Sequence, residues 1–190
     1  MTSILPFVIS AMTATTVSYL FLGETVAFPN ATTKFAIGNF PYYVFFGIIC
    51  GFGSLYFTRM TLHLEDKIKS ILNPYRRWVI SAVSLGIFIF IFPPLYGEGY
   101  DVLTNLLNNH PAEAVGTSFF EKLIIKPWIV PLFFFAVFLF KVFSMSFTNA
   151  GGGVGGTFGP TLFMGGILGF VVPRTLNLSG LVDLPETNFV

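Results

Sequence analysis

The stretch that decides the fold runs from residue 127 to residue 173 and reads PWIVPLFFFAVFLFKVFSMSFTNAGGGVGGTFGPTLFMGGILGFVVP. Its only charged residue is Lys141. A helix needs about 20 apolar residues to cross the hydrocarbon core of a membrane, so this stretch is long enough for two crossings. A glycine run at 151–156, interrupted by Val154, separates the two halves. The stretch therefore predicts two membrane-embedded helices joined by a break in the helical backbone.

Uncharged stretches also occur upstream, at 1–23, 35–58 and 78–97. Of the 190 residues, 54% are hydrophobic and only 10% are charged, against about a quarter in an average soluble domain. A soluble globule of this size could not bury so much apolar surface, and a disordered chain needs more charge. We therefore predict an all-α, multi-pass integral membrane protein. The predicted membrane-embedded segments lie near 4–23, 40–60, 78–95, 128–148 and 160–173.

The first uncharged stretch could instead be a signal peptide. However, no basic residue precedes Ile4, and the apolar run is longer than the core of such a peptide. We interpret it as a membrane segment.

Charge and composition also exclude several functions. A net charge of +1 provides no basic surface for nucleic acid. Cys50 is the only cysteine, and His63 and His110 have no further Cys or His at ligand spacing, so neither a metal site nor a cofactor is expected. No His/Ser/Asp arrangement typical of a catalytic site occurs, so we do not expect an enzyme.

Positive charges predict the orientation in the membrane. Five Lys and Arg residues lie within 59–77, whereas the segment 24–34 holds only Lys34. Because positive residues accumulate on the cytoplasmic side, 59–77 is predicted to face the cytoplasm and 24–39 the outside. Glu98, after the third uncharged stretch, is interpreted as a marker of the membrane boundary.

The glycine run predicts where the function lies. Glycine costs a helix about 1 kcal/mol relative to alanine, so the run breaks the helix at membrane depth. Pro160 favours a first-turn position and is predicted to restart the helix. That helix would direct unpaired N–H groups and a partial positive charge into the membrane, which is an arrangement that binds anions.

Other interpretations of the glycine run exist. Gly151, Gly153 and Gly156 match the G-x-G-x-x-G pattern of dinucleotide-binding loops, but no short strand precedes them and no acid lies about 20 residues further on. A phosphate loop would need Gly-Lys-Ser/Thr. Close helix packing remains an alternative of equal weight on composition alone.

The segment Gly155–Pro160, GGTFGP, resembles the G-x-F-x-P signature of the CLC chloride channels and chloride–proton exchangers. The order of the helices is also similar to the middle of that family's membrane domain. The resemblance implies an inverted-repeat helical fold with broken helices. It also implies that the chain is a partial domain over 1–190, because two further family signatures would precede residue 1 and a pathway tyrosine would follow residue 190.

The resemblance further implies the site. Its backbone amides match Thr157 and Phe158, and the loop that supports them matches Gly155, Gly156, Gly159 and Pro160. Val154 stands where the family commonly has proline, which loosens the loop but leaves the amides available. Lys141 is a possible pathway charge; the alternative is that it snorkels or pairs with a carboxylate outside this chain.

The implied function is transport of chloride by a channel or a chloride–proton antiporter. The implied protein is a homodimer in the plasma (inner) membrane, with 4–23 near the dimer interface. The alternatives are another secondary transporter with a broken-helix substrate site, and a membrane scaffold that transports nothing.

Overall fold

The computed structural model describes residues 4–22, 37–116, 126–180 and 182–190. Within these ranges the chain is helical and contains no β-strand, which confirms the all-α prediction. The helices are α1 (Ile4–Leu22), α2 (Phe40–Lys69), α3 (Pro74–Ile91), α4 (Tyr100–Leu107), α5 (Pro111–Val115), α6 (Ile129–Gly151) and α7 (Phe158–Leu178). Short 3₁₀ turns lie at Ile37–Asn39, Pro93–Leu95 and Glu186–Asn188.

Several of these helices have the length and composition of membrane spans. In the described part of the chain they are Ile37–Lys69, Pro74–Ile91, Ile129–Gly151 and Phe158–Leu178. The apolar part of α1, Val8–Phe21, is shorter. The segment 24–36, which contains most of the predicted outer loop, lies outside the described residues.

The predicted segment near 78–95 is displaced in the structure, where α3 runs from Pro74 to Ile91. Asn73 explains the earlier start, because its side-chain oxygen accepts hydrogen bonds from the backbone N–H groups two and three residues later, at 3.0 and 3.2 Å. Such a cap stabilises the first turn, and Pro74 suits the first helical position. Two consecutive prolines then end the helix early, since proline lacks the N–H group that would continue it.

Helix α6 occupies the centre of the fold and packs against α2, α3 and α7. Its core is aromatic: the Phe134 ring lies edge-on to Phe133 and to Phe170, with centroids 5.4 Å apart in both pairs. Most of α6 is buried, whereas α2 packs some of its side chains on the core and exposes other apolar ones, such as Phe52 and Leu55. This distribution suits a membrane, where lipid can cover the outer apolar surface.

The segment after α3 returns to this core. Leu103 and Leu106 of α4 and Val115 of α5 are buried. Leu103 and Leu106 are spaced three residues apart and lie on one face of α4, which is why so short a helix packs stably on the larger ones. The turn between α3 and α4 is thereby held against the start of α7.

Candidate functional site

The glycine run terminates α6 and leaves a break of six residues before α7. Gly152 has a φ of +112°, a left-handed conformation that glycine adopts without steric cost. The N–H groups of Gly152 and Gly153 donate to the carbonyls of Asn149 and Thr148, at 3.3 and 2.9 Å. Residues 152–157 are non-helical. These bonds close the end of α6 in the manner of a glycine C-cap.

Helix α7 begins at Phe158, two residues before the start that Pro160 predicts. Thr157 is the N-cap, and its carbonyl accepts the first intrahelical bond from the Thr161 N–H at 3.0 Å. Pro160 is therefore the third helical residue, where the N–H group that it lacks would have no intrahelical partner. The helix also continues beyond the predicted segment near 160–173, through Pro173 to Leu178. In membrane helices, neighbouring helices compensate for such an interior proline.

A cavity of about 480 Å³ lies at the amino end of α7. Its walls come from α3, the 95–100 turn, α6 and the break between α6 and α7. It brings together most of the residues predicted for the site: Lys141, Gly155, Gly156, Phe158, Gly159 and Pro160. Thr157 does not line it. The Phe158 side chain is 75% exposed, so the cavity is open on this side within the described residues.

Lys141 is buried, with only 2% of its surface accessible, although it lies on the wall of the cavity. Its ammonium group donates to the carbonyl of Gly97 at 2.8 Å and to that of Leu95 at 3.3 Å. It also lies 4.5 Å from the centre of the Phe163 ring, at a distance typical of a cation–π contact. Within the described residues, backbone carbonyls and an aromatic ring hold this cation, and its burial shows that it does not snorkel to the surface.

The 95–100 turn is part of the site, which the sequence interpretation missed. Gly99 has a φ of +84°, and a Cβ there would collide with the Phe163 ring. Between Gly97 and Gly99, the exposed Glu98 projects beside the start of α7: its carboxyl carbon lies 3.7 Å from where a Cβ of Gly159 would stand. In the sequence, the two glycines that flank Glu98 indicate a tight turn. Nothing in the local sequence indicates that this turn packs against α7.

The α6 wall of the cavity adds polar groups that the sequence did not indicate. Ser144, Thr148 and Asn149 line it. The Thr148 hydroxyl is engaged, since it donates to the Ser144 carbonyl at 2.9 Å. The described ranges contain no group of three or more His, Cys, Asp or Glu side chains arranged to hold a metal ion.

Comparison with known proteins identifies the same family over the whole chain. The sequence profile described as "Voltage gated chloride channel" matches residues 1–188. The chain is 28% identical over 187 residues to the chloride channel protein CLC-e of Arabidopsis thaliana. That alignment covers 95% of this chain and 24% of the relative, so the chain spans about a quarter of the relative's length. No solved structure matches the chain significantly.

Proposed function

Because the chain belongs to the voltage-gated chloride channel family, we propose that the protein containing it transports chloride across a membrane. We further propose that the backbone N–H groups of Thr157 and Phe158 bind the ion at the amino end of α7. The family assignment makes the chain part of an integral membrane protein of the ion-transporting class. The ion, the binding groups and the plasma (inner) membrane location belong to the proposal.

One observation carries the site: the break between α6 and α7 leaves a helix amino end on an open cavity between helices of membrane length. The first N–H groups of a helix have no intrahelical acceptor. The aligned peptide dipoles place about half an elementary positive charge at this end. A partly dehydrated anion can therefore be stabilised there without a free cationic side chain.

The residues around the break suit an ion that must also leave. Gly155 and Gly156 carry no side chain, so an ion can approach the backbone closely. Lys141 adds positive charge to the wall, but its ammonium is already bonded to two carbonyls and cannot close on the ion. Partial charges bind an anion and release it, as conduction requires.

Flux measurements test the proposal. The complete protein is reconstituted in liposomes and uptake of radiolabelled chloride is measured. We expect chloride flux that unlabelled chloride suppresses and that amino acids and sugars do not. Suppression by amino acids or sugars would instead identify another secondary transporter, and absence of any flux would identify a scaffold.

A second measurement separates the two modes of chloride transport. Passive conduction of chloride moves no protons, whereas an antiporter moves protons in the direction opposite to chloride. A pH-sensitive dye inside the same liposomes reports which mode applies. Membrane fractionation of the expressing cell tests the plasma membrane location.

A further inference from the structure

We propose that Glu98 sets how strongly the site holds its anion, by placing a negative charge beside the amino end of α7. This inference rests on the proposed function, since it concerns the same anion site. Glu98 and the first residues of α7 line one cavity. The Glu98 carboxyl carbon lies 3.7 Å from the Cβ position of Gly159, and the side chain runs alongside that glycine.

The position of Glu98 is determined by the surrounding structure. Lys141 bonds the carbonyls of Leu95 and Gly97, which holds the turn from one side. Gly99 lies directly on the Phe163 ring of α7, which holds it from the other. The backbone of Glu98, between two such anchors, is held near α7, although the side chain is exposed.

The chemistry of this position opposes anion binding. A carboxylate is favourable at a helix amino end, where it interacts with the same partial positive charge that attracts an anion. An anion entering the cavity therefore meets repulsion from Glu98, which interacts with the same positive end of α7. Lys141 lines the same cavity, so its positive charge offsets part of this repulsion. The pair leaves the site with a moderate affinity, which favours release of the ion.

The test uses Glu98→Gln in the complete protein, because glutamine retains the shape and removes the charge. Chloride binding is measured by titration calorimetry in detergent. We expect the dissociation constant to fall by roughly tenfold, because the substitution removes a unit negative charge from the cavity that would hold the anion. Glu98→Asp, which retains the charge, should bind chloride much as the parent does.

The matched control is Glu113→Gln on α5, which removes an exposed carboxylate that does not line the cavity. An effect of Glu98→Gln no larger than that of the control, or weaker chloride binding in Glu98→Gln, would overturn the inference. The proposed function fails separately, if the parent protein binds and transports no chloride.

Discussion

At the scale of single residues, the proposed anion site would depend on backbone groups more than on side chains. The Thr157 side chain makes no cap hydrogen bond, and Thr157 does not line the cavity. Gly156 lines it, and a Cβ there would meet nothing within 4 Å. Substitutions at these positions therefore separate the contribution of the backbone from that of the side chain.

The first prediction concerns Gly156 and Phe158. Gly156→Val should lower chloride flux at least about tenfold, because two methyl groups would occupy space that the ion needs beside the amides. Phe158→Ala should alter conductance or selectivity, because its ring borders the cavity. Thr157→Ala should change flux by less than about twofold, because its backbone N–H remains.

Liposome flux of the complete protein measures all three variants. Val154→Ala is the matched control, since Val154 is fully exposed and does not line the cavity. If Gly156→Val and Phe158→Ala both behave like this control, the glycine run serves helix packing and the anion binds elsewhere.

The second prediction concerns Lys141→Met. The substitution removes two hydrogen bonds from a buried charged group and leaves the carbonyls of Leu95 and Gly97 without their donor. We expect the protein to lose about 2 kcal/mol of stability, measured by thermal unfolding in detergent. Lys69→Met is the control: it breaks an exposed ion pair with Glu65 and should cost less than about 1 kcal/mol. Equal unfolding temperatures for the two variants would refute the anchoring role of Lys141.

At the scale of elements, helix boundaries follow from caps and breakers. Asn73 caps α3, glycines end α6, and α7 begins at Thr157 and Phe158 ahead of Pro160. These boundaries matter for the site, because they place the amino end of α7 next to the turn that follows α3.

The third prediction tests the cap of α3. Asn73→Ala should destabilise the protein by about 1 kcal/mol, since two backbone N–H groups lose their acceptor. Asn73→Asp keeps an acceptor oxygen and should unfold near the parent temperature. Thermal unfolding in detergent provides the comparison. An alanine variant as stable as the aspartate variant would show that the cap contributes nothing measurable.

At the scale of the whole molecule, α2 and α3 expose apolar surface that lipid or a neighbouring subunit must cover. Phe52 of α2 and Phe90 of α3 are 69% and 70% exposed. The described part of α1 is exposed as well, with Leu20 at 73%. The orientation of these helices in the membrane and the partner of α1 remain predictions.

The fourth prediction concerns orientation. In a background without other cysteines, Lys69→Cys should react with an impermeant thiol reagent only after the membrane is opened. Lys34→Cys, which lies outside the described residues, should react in intact cells. The reason is the excess of positive charge in 59–77. The reverse pattern of labelling would invert the topology.

The fifth prediction concerns the dimer. Ser10 and Ala14 are small residues on α1 that permit two helices to approach closely. A cysteine at either position should crosslink two subunits of the complete protein on oxidation, as judged by a non-reducing gel. A cysteine at Leu72, within the segment 59–77 that is predicted to be cytoplasmic, is the control and should give no such band. Failure of both α1 positions to crosslink would exclude this interface.

The membrane class, the helical fold and the break before α7 followed from the sequence, because each depends on local composition. The effects of these features are local: long uncharged stretches favour membrane helices, and glycine runs and prolines end or begin helices at their own positions. The resemblance of Gly155–Pro160 to the family signature then indicated which residues of the break would bind the anion.

Only the tertiary structure decided what surrounds that break. Lys141 and Gly97 are 44 residues apart in sequence, yet the packing of α3 against α6 brings them within hydrogen-bonding distance. Glu98 likewise lies beside Gly159 through long-range packing. Because Gly99 has no side chain, the turn that carries Glu98 can pack directly on the Phe163 ring. A charge in an apolar stretch signals a buried cation, but its partners depend on how distant helices pack, which local patterns do not encode.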